Sequence, residues 1–438
     1  MAHAMAHQGG ARAPGERSLV YTLSGVHALI HAIELAYAAL LLRIEAEFGT
    51  NLLLLGVFAN VAAFTFGVGA LPAGVLVDRL GSMRVLRITL AGSALAALLV
   101  AASPSELTLG VTLALLGITT GLYHPAGFAL LARTTRRTRD VAMHGVVGSL
   151  GIAVAPVLLS GIALATDWRL SYVALGALSA VGFLYTLRLA RGAAPETPSG
   201  EPGTTCCGQA APRPDPTPPA SATEDRGAAP AAAAALRRFW WLPLAVVYFV
   251  NVIQGFVYRG SVTFIPTHIE EQITGAVLGV DGAALAGALA TVALLGSAVG
   301  WYVGGILAER LPAYPLILGA WVATAPLLLL ISVADGAPLI VVTFIFVVMN
   351  FAMAPALVTL IADFSPPGRI GASFGMMFFL AFGMGSFAAT LAGFTADRWG
   401  VDAVFVVLAA VSGGGALTSA ALYYLARGSR RSAAAAPS

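Results

Sequence analysis

Lysine is absent from this chain: all 24 basic residues are arginine. Charge of any kind is scarce, with Asp, Glu, Lys and Arg at 10% of 438 residues, against about 25% in soluble domains. With 58% apolar residues and a mean hydropathy of +0.85, the chain has no way to bury its apolar surface in water. The bilayer must be its solvent. The missing lysine fits a GC-rich coding bias and carries no chemistry. Only two cysteines occur, the adjacent Cys206 and Cys207; two thiols cannot build a disulfide framework, and they read as inert linker residues. No phosphate loop, metalloprotease signature or catalytic-triad spacing is present, so the chain reads as neither an enzyme nor a direct user of ATP. The net charge of +3 points to no nucleic-acid partner. Residues 1–18 are polar, lack a signal-peptide layout, and include His3 and His7 as tail residues.

What is present is a duplication. Arg43-Ile44-Glu45 returns as His268-Ile269-Glu270, Asp78-Arg79 as Glu309-Arg310, Pro125 as Pro355, and Asp167-Trp168 as Arg398-Trp399. The spacing is about 230 residues each time, far longer than a solenoid repeat. Apolar runs fall near 19–43, 51–76, 85–103, 107–132, 141–165 and 169–190, and again near 240–266, 283–308, 313–333, 338–362, 370–396 and 402–426. Each is long enough to span a membrane as a helix of roughly 20 residues. The organisation is therefore a tail (1–18), a six-helix bundle (19–191), a disordered Pro/Ala/Ser/Gly-rich linker (192–236), a second bundle (237–427) and a tail (428–438). All arginines except Arg43, Arg169, Arg259 and Arg398 fall on one side. That places both termini and the linker in the cytoplasm of a multi-pass protein of the cell membrane.

The loop after the second run reads Gly74-Val-Leu-Val-Asp78-Arg79-Leu-Gly81-Ser-Met-Arg84. Gly permits a tight turn; Asp78 can accept from a helix N-terminus, and arginines can clamp an acidic helix end. This resembles the inter-helix loop of the major facilitator superfamily, with a degraded second copy at Gly304, Gly305, Glu309 and Arg310. The resemblance implies an all-α fold of two pseudo-symmetric six-helix bundles with helices 1, 4, 7 and 10 lining a central cavity. It also implies that the loop latches the bundles together.

Ionisable residues inside spans are expensive and normally face protein or a wet cavity. The first run carries His27, His31 and Glu34, spaced four and three apart and so on one helical face, with Tyr37 one turn on. The fourth run carries His124, the fifth His144, the seventh Tyr258 and Arg259. Glu34 maps onto Arg259 by the offset that maps Arg43 onto His268. The two either pair or share a ligand across the cavity, or each is satisfied within its own bundle. His31, Glu34, Tyr37, His124, Tyr258 and Arg259 are the candidate substrate and proton pathway; His27 and His144 are secondary candidates with a helix-packing alternative. His and desolvated Glu suit proton exchange.

The stretches His31–Tyr37, Tyr123-His124-Pro125 and Gly260–Pro266 look like fosmidomycin-resistance-type exporters. Those exporters have a polar pair where this chain has Glu34-Leu35, so the substrate does not carry over. Gly145, Gly148, Gly151, Pro156 and Gly161 partly resemble a drug-antiporter motif, with Ala155 and Leu159-Ser160 departing from it. The expectation is a proton-coupled small-molecule exporter, monomeric and without cofactor. The alternatives are an importer or facilitator of a small organic anion anchored on Arg259, a divalent-metal carrier using His31, Glu34 and His124, and a non-transporting membrane sensor.

Overall fold

The protein's structure, a computed structural model, describes residues 15–49, 52–189, 242–272 and 282–434. The linker expected over 192–236, Cys206, Cys207, His3 and His7 lie outside these residues.

Among the described residues, twelve helices are long and apolar enough to cross a membrane, six before and six after the stretch expected as a linker. The first six are α1 (Glu16–Phe48), α2 (Leu52–Leu80), α3 (Ser82–Ala101), α4 (Glu106–Leu131), α5 (Arg137–Ala165) and α6 (Trp168–Leu189). The second six are α7 (Leu242–Gln272), α8 (Gly282–Arg310), α9 (Ala313–Ile331), α10 (Gly336–Phe364), α11 (Ile370–Trp399) and α12 (Val401–Ala434). Among the described residues there is no strand.

Two helix ends differ from the sequence reading. α1 starts at Glu16, inside the expected tail, because the Glu16 carboxylate accepts from the Thr135 N–H at 2.5 Å and from its hydroxyl at 2.8 Å. A side chain 119 positions away thus anchors that end. α12 continues through the region expected as a second tail, to Ala434.

The duplication is visible in how helices break. α4 consists of Glu106–Gly121 and Tyr123–Leu131, and α10 of Gly336–Ala352 and Ala354–Phe364. Pro125 and Pro355 lie just beyond these breaks. Each lacks the N–H that would bond four residues back, to the Gly121 and Phe351 carbonyls respectively. α11 has a different irregularity: Phe379–Met384, near the middle of the helix, is a π-helical segment, a feature often found at functional positions.

The bundles meet at the end bearing Asp78. A Cβ on Gly74 would lie 2.5 Å from the Gly371 carbonyl oxygen, and one on Gly375 would lie 2.6 Å from that of Ala70, so α2 and α11 touch backbone to backbone. α5 packs on α8 nearby, with the Trp301 ring filling the space a side chain at Gly145 would need.

Candidate functional site

Asp78 lies at the C-terminal end of α2 and reaches into the other bundle. Its Oδ1 accepts from the Gly371 N–H and its Oδ2 from the Ala372 N–H, both at 2.8 Å. These are free donors at the start of α11, where the helix dipole also favours an anion. Gly74 makes the close approach described above, and Gly81 turns the chain at φ 88°. Arg79, Arg84, Glu309 and Arg310 are exposed. A second cross-bundle link, not anticipated from sequence, joins Arg137 on α5 to Asp363 on α10 at 2.8 Å. Its partners are 226 positions apart, and no local pattern marks them.

Above this closed end lies a cavity of about 110 Å³ bordered by His27, His31, Glu34, His124, Asn251, Gln254 and Tyr258, with Trp301, Phe378 and Phe382 as its aromatic wall. A second cavity of about 360 Å³ extends away from the Asp78 end and is bordered by Glu34, Tyr37, Asn60, Arg259 and Thr263. Glu34 lines both. The cavity helices expected from the resemblance all contribute, and α5, α8 and α11 contribute as well.

The ionisable residues form one connected chain. Glu34 Oε1 stands 3.7 Å from an Arg259 guanidinium nitrogen on α7, and its Oε2 is 2.9 Å from His31 Nδ1. His31 Nε2 is 3.0 Å from His27 Nε2, and His27 Nδ1 is 2.9 Å from the His144 carbonyl oxygen. The Tyr123 hydroxyl lies 2.5 Å from the Leu23 carbonyl and 2.9 Å from His144 Nε2. The His144 ring stacks on His27 with centroids 3.9 Å apart. Room for this comes from α5: a Cβ on Gly148 would overlap the His27 imidazole. The glycine pattern that resembles an antiporter motif therefore seats a histidine here.

His124 stands edge-on to His27 and His31, at 5.2 and 5.5 Å between centroids, and its buried Nδ1 has no partner. It packs against the rings of Phe66, Phe378 and Phe382; the π segment of α11 supplies the last. Tyr37 is buried beside the larger cavity, and Tyr258 packs on Phe351 at 5.1 Å. Tyr123, outside the expected site set, is fully buried at its centre. The signal available in the sequence was its place in the Tyr123-His124-Pro125 stretch. His27, His31 and His124 each bring one potential ligand atom to within 4.8 Å of the others. The trio that converges thus has His27 where the metal reading had Glu34, and two of its members already face each other at hydrogen-bond distance.

The family model of the Major Facilitator Superfamily matches residues 23–389. The chain belongs to the Major Facilitator Superfamily. The superfamily is one of multi-pass membrane transporters that bind small molecules, rather than of enzymes. The uncharacterized MFS-type transporter YfnC of Bacillus subtilis (strain 168) is 32% identical over 119 residues. That alignment spans 27% of this chain and 29% of YfnC, less than a third of its length. Among solved structures, the E. coli fucose:proton symporter FucP superposes with a TM-score of 0.67 at 14% identity, over 92% of this chain and 98% of FucP. The proton:xylose symporter XylE gives 0.71 at 12% identity, over 92% and 94%. At these identities the likeness is one of fold, two six-helix bundles included.

Proposed function

We propose that this superfamily member is a proton-coupled exporter of a small molecule, working by alternating access. One observation carries the reading: Glu34 borders both cavities while contacting Arg259 of the opposite bundle and His31 of its own. A proton taken up there changes the cross-bundle ion pair and the wall of the binding cavity together, which is what coupling requires. His31 and Glu34 exchange the proton, and Arg259 holds the carboxylate when it is charged. His124, Tyr37 and Tyr258 face substrate, with His124 Nδ1 as the unpaired polar atom available to it. The Gly74–Arg84 loop, together with Glu309 and Arg310, acts as the conformational clamp.

Export is the direction that the α5 glycine pattern and the exporter-like stretches favour. FucP and XylE are proton symporters by name, which lends support to the proton as coupling ion. The anion-importer reading loses its anchor, because Arg259 faces Glu34. The metal-carrier reading loses ground because His27 and His31 turn their facing nitrogens on each other. The arginine distribution supports cytoplasmic termini and a cytoplasmic Asp78 end, in a monomer of the cell membrane whose bundles are joined by the 192–236 linker.

The test is a counterflow assay in proteoliposomes with a compound panel, a pH gradient and a trapped pH dye. Wild type should move protons against a transported compound, and Glu34→Gln should not. Gradient-driven transport that persists in Glu34→Gln sinks the proposal.

A further inference from the structure

The hydrogen bonds around His27, His31 and Glu34 can be counted proton by proton, and the count has one solution. The Tyr123 hydroxyl has a single proton, and at 2.5 Å it is donated to the Leu23 carbonyl. His144 Nε2, 2.9 Å from the same oxygen, must then donate its N–H. His144 Nδ1 is buried with no partner, so that ring is neutral. The His144 carbonyl can only accept, so His27 Nδ1 carries a proton. One proton lies between His27 Nε2 and His31 Nε2, and one between His31 Nδ1 and Glu34 Oε2. Three protons therefore sit on two imidazoles and a carboxylate. Two neutral imidazoles and an ionised carboxylate hold only two, so the chain carries one in excess.

We infer that His27, His31 and Glu34 form a closed relay holding a single exchangeable proton, which fixes the coupling at one proton per cycle. This rests on the proton-coupled reading and goes beyond it by assigning the stoichiometry and giving His27 a role in the relay. The excess proton occupies Glu34, His31 or His27, and shifting it among them keeps every hydrogen bond. The path follows α1 for seven residues, about 10 Å at 1.5 Å per residue. It ends at a backbone carbonyl, which cannot pass a proton on toward the Asp78 end, so proton entry and exit are at Glu34. A second excess proton would either set two N–H groups head to head between His27 and His31 or sit on Glu34 Oε1, which faces the Arg259 cation at 3.7 Å, so both places oppose it. Removing the first sets two lone pairs face to face, so one link must open. Proton loss is thereby converted into movement at the cavity wall.

The groups facing the relay come from several helices. α4 presents Tyr123 and the unpartnered His124; α5 presents His144; α7 presents Arg259 and, on the cavity wall, Tyr258. α2 and α11 present the rings of Phe66, Phe378 and Phe382 to His124. Arg259 is the cation among these groups, and it faces the Glu34 end where the proton leaves.

Glu34→Gln offers a sharp test, since the amide N–H donates to His31 Nδ1 and reproduces the filled relay with nothing to release. In the full-length protein in nanodiscs, proton release on an alkaline pH jump is read with an indicator dye. Wild type should release one proton per chain more than Glu34→Gln. A wild-type excess of two, or none, overturns the relay. Nitrogen-15 spectra of histidine-labelled wild type give a reading that needs no variant: His144 should carry its proton on Nε2 and His27 on Nδ1. The opposite tautomer at either position overturns the inference. Either result leaves the proton-coupled reading standing, which fails only if Glu34→Gln still couples transport to a pH gradient.

Discussion

Glu34 of α1 and Arg259 of α7 approach to 3.7 Å between the two bundles, and the sequence offset that carries Arg43 onto His268 carries one onto the other. A carboxylate and a guanidinium that the repeat spacing pairs in sequence thus meet in the structure.

The pair is expected to behave as a unit. Arg259→Leu leaves Glu34 facing low dielectric without its cation and should destabilise the protein by about 3 kcal/mol, the scale of a broken, poorly solvated ion pair. Adding Glu34→Gln should recover much of that loss. Thermal unfolding of the two single variants and the double variant gives the coupling energy; additive effects would mean that the two side chains do not interact.

Asp78→Asn should weaken the closed arrangement at that end. The carboxylate accepts two backbone N–H groups of α11, whereas an amide presents only one acceptor and turns a donor toward the other. A cost of about 1–3 kcal/mol is expected from the unsatisfied donor. Hydrogen exchange at Gly371 and Ala372 should accelerate accordingly, and unchanged protection there would contradict the clamp.

Gly74→Val should prevent α2 and α11 from meeting. The first added carbon already collides with the Gly371 carbonyl, and a backbone atom cannot move aside as a side chain can. Spin labels placed on the Asp78 ends of the two helices should report a longer distance and lost transport; an unchanged distance would show that the close approach is not required.

At the opposite end, Glu47 accepts from Arg169 and from the Trp168 indole N–H, the latter at 2.5 Å. The Arg169 hydrogen bond first, and the Trp168 one after it, hold its carboxyl below the ordinary carboxylate value of 4.5. A depressed carboxyl adds stability above its ordinary value and loses it as pH falls through the folded one. The group is largely solvated, so the increment is about 0.5 kcal/mol. The stability gap between wild type and Glu47→Gln should therefore be present at neutral pH and vanish in acid. A gap that widens on acidification would reverse the sign.

The sequence alone determined what local periodicity and composition encode. Twelve apolar spans, the duplication, the Asp78 loop and the shared face of His27, His31 and Glu34 follow from patterns a few residues long, set by helix pitch and by the cost of charge in a membrane. Pro125 and Pro355 belong to the duplication, but the helix breaks beside them appeared only in the structure, since Pro72, Pro266 and Pro326 sit inside continuous helices. The tertiary structure alone decided which partners those residues meet. Tyr123 reaches a carbonyl 100 positions back, Asp78 binds amides 293 and 294 positions on, and His27 is bounded by the carbonyl of His144. Backbone carbonyls and amides are present at every residue and leave no mark in sequence. Which of them each histidine meets was decided by what the packing placed beside it.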